Sequence, residues 1–299
     1  SAEFEQKKIR RSLYRPFTFQ YVYFDAIFTH RRSQFPVIFP TPKTEQENLV
    51  ICCNSLGNTK DFHCLAVKMI PDIHLTGDTQ CFPFYIYDED GSNRRENITD
   101  YSLQQFREYY QDQTITKWEI FYYVYGILHH SEYRRKYAAN LKRELPRIPT
   151  LTPNLSPTGR GGQDWFKEIS QIGEKLAQIH VNYEKQKEYK LKMIENPDIP
   201  VDLRVQKMKL SKDKTEIIYN EYLTLKGIPP EVWSYKLGNK SALNWIIDQY
   251  QITTYKRSGI INDPNNLDDE MYIIRLVKKI VTVSLETVKL VSELNNYLL

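Results

Sequence analysis

Several strings in this sequence carry residue types that could do chemistry. Asn262-Asp263-Pro264-Asn265 is the nearest likeness here to the Asn-Pro-Pro-aromatic turn with which an adenine methyltransferase holds its target amine. It lacks the second proline and the aromatic residue that would stack on a flipped base, and no glycine-rich cofactor loop follows a strand, so it reads as an Asp-Pro turn. Gly238-Asn239-Lys240-Ser241 imitates the end of a phosphate loop, but an asparagine separates glycine from lysine and the first glycine is missing. Ser241 reads better as the N-cap of a helix carrying Trp245. Asp88-Glu89-Asp90-Gly91-Ser92-Asn93 has calcium-loop carboxylates, yet the twelfth position, where a bidentate glutamate should close the loop, is Thr99. An Asp-Gly hairpin turn accounts for it.

Metal-assisted hydrolysis fares no better. A magnesium nuclease needs a Pro-Asp pair followed by Glu-x-Lys on a strand; Pro71-Asp72 has no such partner, and Glu188-Tyr189-Lys190 precedes Pro197-Asp198 instead of following it. His129 and His130 are neighbours that diverge on a helix, while His30, His63, His74 and His180 stand alone. Cys52, Cys53, Cys64 and Cys81 lack the paired spacing of a zinc ribbon or redox site and read as small core residues. No Gly-x-Ser-x-Gly elbow is present.

The elements that would position any site divide along the chain. Up to about residue 90 the pattern favours strands: Phe17, Phe19, Tyr21 and Tyr23 alternate with Thr18, Gln20 and Val22, and LVICC, FHCLAVKMI and FPFYIYDEDG are short β-rich runs. Helices are predicted at 102–111, then across Trp118, Phe121, Tyr122, Tyr125, Leu128 and His129, a buried stripe with Gly126 as its weak point. Ser131 is the expected N-cap of a following helix in which Tyr133, Tyr137, Leu141 and Leu145 line one side and basic residues make a solvated face, until Pro146 stops it. A Pro- and Gly-punctuated loop leads to a helix over 163–183, a second β-like patch occupies 189–219 with SKDK as a hairpin turn, and helices return at 241–250 and 269–295.

The fold class expected is α+β, β-rich in its N-terminal part and helical in its C-terminal part, with the late strands returning to the early sheet. As domains, residues 1–115 form the β-rich part and 116–299 the mainly helical part of one module, with the second β patch near 189–220. Aromatic residues at 13% exclude a disordered chain, because they carry enough burial energy to offset chain entropy. A net charge of +4 decides nothing by itself; only clustering could. No apolar run approaches the roughly 18 to 20 residues of a membrane span, so a cytoplasmic protein with no membrane partner is expected. The start at Ser1, without methionine, is how an excised domain would look.

Several blocks together resemble a known family. They are IRRSLYRPFTFQYVYFD at 9–25, IFYYVYGILHHSEYRRKYAANLKRELPRIP at 120–149, GEKLAQIHVNYE at 173–184, the run from IIYNEYLTLKGIPPEVW to SGIINDPN at 217–265, and MYIIRLVKKIVTVSLETVKLVSELN at 271–295. In this order they are similar to the carboxy-terminal specificity region of type ISP restriction-modification enzymes, single chains that join nuclease, helicase-like motor, adenine methyltransferase and target-recognition parts. Residues 33–112 and 150–163 fall outside the resemblance.

The resemblance implies a DNA target-recognition module for bacterial defence whose partners are double-stranded DNA and the methyltransferase and motor domains of the same polypeptide. It implies no cofactor in this fragment, the parent using S-adenosylmethionine, ATP and magnesium, and no catalysis here. A recognition module must offer arginine forks to guanine, amides to adenine and cations to phosphates. Three loops fit: one with Arg31, Arg32 and Gln34, one with Asn93, Arg94 and Arg95, and one with Arg160 and Gln163, where glycines beside Arg160 would let the backbone approach a phosphate. Lys240, Lys256 and Arg257 lie in a resembling block and are candidates for backbone contacts. Arg15, among aromatic neighbours, reads as a packing or ion-pair residue. The alternatives are a divergent metal-dependent nuclease and a structural coupling or protein-interaction domain.

Overall fold

A computed structural model describes residues 3–29, 32–75, 77–150 and 162–297, and the chain divides into two compact units. The first comprises Ser1–Arg15, Phe19–Val181 and Lys289–Leu299; the second comprises Pro16–Thr18 and Asn182–Val288.

The chain opens with β1 (Ile9–Arg15) and β2 (Thr18–Tyr23), then two short helices, α1 (Phe35–Ile38) and α2 (Pro42–Glu47). Thr41 and Thr44 cap α2 reciprocally, the Thr44 amide donating to Thr41 Oγ1 at 3.2 Å and the Thr41 amide to Thr44 Oγ1 at 3.0 Å. Next come β3 (Val50–Asn54), β4 (Cys64–Val67), β5 (Ile70–Pro71), β6 (Thr79–Pro83), β7 (Tyr85–Ile86) and β8 (Arg95–Glu96). Strand β3 lies between β4 and β6, antiparallel to both; β1 pairs with β2 and, in parallel, with β5. All residues of β3 and β4 are buried, so this sheet is covered on both faces where they lie.

Helices α3 (Asp100–Tyr110), α4 (Lys117–His129), α5 (Ser131–Lys136) and α6 (Gly162–Val181) follow. A Thr116–Glu119 capping box starts α4. Its burial is wider than the stripe expected: Trp118 and Tyr122 are only half-buried, while Ile120, Tyr123 and Ile127 join Phe121, Tyr125, Leu128 and His129 in the core. The reason is that α4 packs against α3, α5, α6 and β4 at once. Phe84 stacks on Trp118 with centroids 3.5 Å apart, and Phe166 lies 4.9 Å from Tyr110 and 5.0 Å from Tyr123.

The helix after α4 also differs from expectation. Its cap is His130, whose Nδ1 accepts the Glu132 and Tyr133 amides at 3.2 and 3.5 Å, and the regular helix ends at Lys136 rather than at Pro146. Proline 146 has no N–H to offer the Lys142 carbonyl, which accepts the Gly57 amide at 3.0 Å instead. The Tyr133 hydroxyl meanwhile donates to the Arg147 carbonyl at 2.9 Å, so tertiary bonds fold the segment back. Nor is the face wholly solvated: Arg134 Nε donates to the Leu128 carbonyl at 2.6 Å, and its guanidinium lies 5.8 Å from the Phe62 ring.

In the second unit, β9 (Lys192–Glu195), β10 (Lys209–Leu210), β11 (Glu216–Ile218) and β12 (Leu223–Lys226) form their own antiparallel sheet in the order β10-β11-β12-β9. The late strands therefore do not return to the early sheet. Short connections such as the Ser211–Lys214 turn favour pairing with sequence neighbours. A small ribbon, β13 (Lys236–Leu237) with β14 (Lys240–Ser241), leads into α7 (Ala242–Gln249). Ser241 Oγ accepts the Asn244 amide at 3.1 Å, as its reading as a cap requires. A second ribbon, β15 (Thr253–Thr254) with β16 (Ile261–Asn262), precedes α8 (Tyr272–Leu294). The class is α+β, strand-rich in its early part and closing on a long helix.

Candidate nucleic-acid interface

Two of the three loops occupy one neighbourhood of the first unit. The Tyr87 amide donates to the Val37 carbonyl at 2.9 Å, tying the end of β7 to α1. Gly91, at φ +86, brings the 88–97 turn onto the start of α2, where an added Cβ would meet Thr41 Cγ2 at 3.1 Å. Arg32 of one loop and Glu89 of the other consequently line the same cavity of about 370 Å³, with Lys7, Lys8, Arg10 and Phe24. Arg31 lies outside the described residues, and Gln34 is exposed, its carbonyl accepting the Val37 and Ile38 amides at 3.1 Å as α1 begins.

The cavity is basic in composition but internally balanced. Arg10 is buried; it donates to the Phe39 carbonyl at 3.0 Å and pairs with Glu45. Burial raises the Glu45 carboxyl above its ordinary range even though Arg10 pulls it down. Lys8 bridges Asp25 at 2.7 Å and Glu5 at 2.5 Å, which holds its ammonium group above the ordinary lysine range and lowers the Asp25 carboxylate, while Glu5 is lowered by Lys7 and then by Lys8. Arg32 stands over the Phe24 ring at 5.9 Å.

The second loop is braced by carboxylates. Asn93, at φ 49, donates to Asp88 Oδ2 at 2.6 Å, and Arg95 reaches Asp88 Oδ1 at 3.0 Å. Arg94 pairs with Glu47 at 3.3 Å while its guanidinium covers the Tyr85 ring at 4.7 Å. Asp88 through Gly91 form a hairpin turn, the Gly91 amide donating to the Asp88 carbonyl at 2.9 Å. The third loop is a different case: Arg160 lies outside the described residues, and Gln163 falls in the first turn of α6, its side chain also outside them.

The remaining candidates sit in the second unit. Lys240 Nζ pairs with Asp248 and lies 5.1 Å from the Trp245 ring, so it ties β14 to the last turn of α7. Lys256 and Arg257 are exposed at the tip of the β15–β16 ribbon. The string 262–265 is a polar turn, Asp263 Oδ1 accepting the Asn265 amide at 2.9 Å and Asp263 Oδ2 the Arg204 guanidinium at 2.9 Å. Arg15 pairs with Asp72 at 3.4 Å and covers the Tyr14 ring at 4.0 Å, the packing and ion-pair role its neighbours suggested.

Sequence reasoning passed over Lys7, Lys8 and Arg10, whose convergence with Arg32 depends on β1 lying beside the α1–α2 turn. It also passed over Tyr255, Ile260 and Ile261, which flank Lys256 and Arg257 and are exposed. The signal was available in the latter case, because apolar residues on both sides of a polar turn mark a hairpin.

Buried titratable groups lie apart from these loops. The Tyr125 hydroxyl accepts the Ala66 amide at 2.8 Å and lies 2.7 Å from His180 Nδ1, while His129 Nδ1 is 2.9 Å from the Tyr125 carbonyl and 3.5 Å from Cys64 Sγ. Burial pushes His180 down to about 3 and His63 to about 4, and lowers His129 well below the ordinary histidine value. Among the described residues no three His, Cys, Asp or Glu side chains are grouped to hold a metal ion, and no helix is long and apolar enough to cross a membrane. The four cysteines are free thiols.

Residues 1–276 match the family model described as the type ISP C-terminal specificity domain. The chain belongs to that family. Three solved structures are similar over 98% of this specificity domain. A nuclease-deletion mutant of the type ISP restriction-modification enzyme LlaGI in complex with a DNA substrate mimic is 35% identical, with a TM-score of 0.80. The DrdV–DNA complex is 35% identical, with a TM-score of 0.84. The ATP-dependent type ISP restriction-modification enzyme LlaBIII bound to DNA is 31% identical, with a TM-score of 0.84. The domain spans 25%, 29% and 19% of those chains, so each relative is several times longer. No curated protein matches it.

Proposed function

We propose that this specificity domain reads a DNA duplex on behalf of a larger restriction-modification enzyme and makes or breaks no bond itself. The observation that carries the reading is the match of 98% of the chain, at 35% identity, to part of a type ISP enzyme held on a DNA substrate mimic. The geometry supports it through the paired loops of the first unit, where Arg32, Gln34, Asn93, Arg94 and Arg95 supply the forks and amides that base edges and phosphates accept. Their present partners, Glu47 and Asp88, are exposed carboxylates, and exposed pairs contribute only about 0–1 kcal/mol, so exchange for phosphate is inexpensive.

In the parent enzyme, S-adenosylmethionine, ATP and magnesium serve the other parts, and this domain docks on the methyltransferase and motor domains of the same polypeptide. Its own contribution is site choice.

The test is retention of duplexes from a random-sequence pool by the purified domain, followed by a salt series on the retained duplex. The expected result is enrichment of one short motif and a log-log salt slope of about 0.9 for each neutralised phosphate. Retention of no duplex at low salt, or retention with no enriched motif, overturns the reading. Cleavage of plasmid by the domain with magnesium would instead make it a nuclease.

A further inference from the structure

The ribbon formed by β15 and β16 pairs Thr253 with Asn262 and Thr254 with Ile261, and the Tyr255 amide extends it by donating to the Ile260 carbonyl at 2.9 Å. Every residue from 254 to 261 is exposed. Cross-strand pairing puts Tyr255 and Ile260 together on one face and Ile261 with Thr254 on the other. Tyr255, Ile260 and Ile261 are 56%, 61% and 64% exposed, so apolar groups crown both faces of a ribbon that no other part of its unit covers. The tip between them is Lys256-Arg257-Ser258-Gly259, closed by the Gly259 amide donating to the Tyr255 carbonyl at 2.8 Å, with Gly259 at φ +68 where only glycine is unstrained. Lys256 and Arg257 make no ion pair among the described residues.

An isolated two-stranded hairpin is marginal in water, so its base must be held. Asn265 clamps it with two bonds to Val205, accepting the amide at 2.8 Å and donating to the carbonyl at 2.9 Å. The Arg204–Asp263 pair at 2.9 Å and the Ile252 amide donating to the Gln206 carbonyl at 2.8 Å complete the root. A firmly rooted finger thus ends in three exposed apolar side chains and two cations with no ion pair among the described residues.

From this we infer that the hairpin is a wedge for duplex DNA: Tyr255 and Ile260, which share one face, enter a base step while Lys256 and Arg257 take the phosphates beside it. The inference rests on the recognition function proposed above. The occupant follows from complementarity, because a duplex offers flat apolar base faces a few ångströms from fixed negative charges. Aliphatic side chains inserted between bases unstack them and kink the helix, and aromatic rings stack on the bases so exposed.

The experiment uses the intact domain and the duplex retained from the random pool, with 2-aminopurine placed in turn at each position. The wild type is expected to brighten the probe at one step. A Tyr255→Ser, Ile260→Ser variant, checked for an unchanged melting temperature, is expected to lose that brightening and bind at least tenfold more weakly. Lys256→Ala with Arg257→Ala should lower the salt slope by about 0.9 for each cation removed. Failure to retain any duplex would remove the recognition function and this inference with it. Retention with no unstacked position, or a double-serine variant that binds and unstacks like wild type, overturns the wedge alone.

Discussion

Gly126 and Gly173 face each other where α4 meets α6: a Cβ on Gly173 would lie 3.0 Å from the Gly126 amide nitrogen, and one on Gly126 would lie 3.7 Å from the Gly173 Cα. The Gly173 position is the tighter, because its Cβ would fall inside the Tyr122 carbonyl oxygen. Backbone cannot swing aside as a side chain can. Gly126→Ala would meet Ile169 Cγ2 and the Ile169 carbonyl, both at 2.9 Å.

The first prediction is therefore a ranking. Alanine in place of an interior helical glycine gains about 1 kcal/mol of helix propensity, which here opposes a steric penalty of about 1–3 kcal/mol or more. Gly173→Ala should lose stability by several kcal/mol in urea unfolding, and Gly126→Ala by less. An increase in stability for Gly173→Ala would show that the helices separate easily.

This pair also marks what the sequence could and could not disclose. Gly126 within an aromatic helix reads as a propensity defect, since nothing local announces that Gly173, forty-seven positions away, requires closeness there. Ser241 and the SKDK turn were legible because capping and hairpin chemistry are local. His130 displaced Ser131 as a cap because an imidazole nitrogen happens to reach two amides, which no capping preference anticipates. The candidate loops were visible as basic residues among turn formers. That Arg32 and Glu89 share a cavity was not, because it depends on how α1 and α2 carry the chain between them.

The second prediction concerns acid. Burial holds His63 at about 4 and His180 at about 3, so both are neutral in the folded protein at pH values where an unfolded histidine, near 6.5, takes a proton. The unfolded chain binds more protons below pH 6.5, hence stability is full above that pH and falls as pH drops toward 4 and then 3. Each histidine contributes a slope of up to about 1.4 kcal/mol per pH unit in that window. Urea midpoints measured from pH 7.5 to 4.5 should decline, and His180→Gln should flatten the decline. A flat profile in the wild type would contradict this.

A third prediction follows from the braced loop. Asp88 holds both Asn93 and Arg95, and Glu47 holds Arg94. Asp88→Asn and Glu47→Gln remove competitors for phosphate, so each should raise duplex affinity several-fold at low salt, with little cost in stability because the pairs are exposed. Arg95→Ala should weaken binding and reduce the salt slope by about 0.9 if it neutralises one phosphate. Fluorescence anisotropy across a salt series reads both effects; affinity unchanged in all three variants would detach this loop from DNA.

The fourth prediction separates stability from recognition inside one cavity. Arg10 is buried and pairs with Glu45, whose side chain is 14% exposed, and the Arg10 guanidinium is also bonded to the Phe39 carbonyl. Removing one member leaves the other charge without its partner, a loss of about 3–5 kcal/mol in buried pairs generally. Arg10→Met strands Glu45, but the raised carboxyl of Glu45 can take up a proton and soften the loss at low pH. Glu45→Gln strands a guanidinium that cannot discharge, although Phe39 still accepts from it. The destabilisation caused by Arg10→Met should therefore shrink as pH falls from 7 to 5, whereas that caused by Glu45→Gln should not, when each variant is compared with wild type at the same pH. Arg32→Ala, on the rim of the same cavity, should leave the melting temperature nearly unchanged while weakening duplex binding. A large stability loss for Arg32→Ala would make it part of the frame that Arg10 and Glu45 hold together.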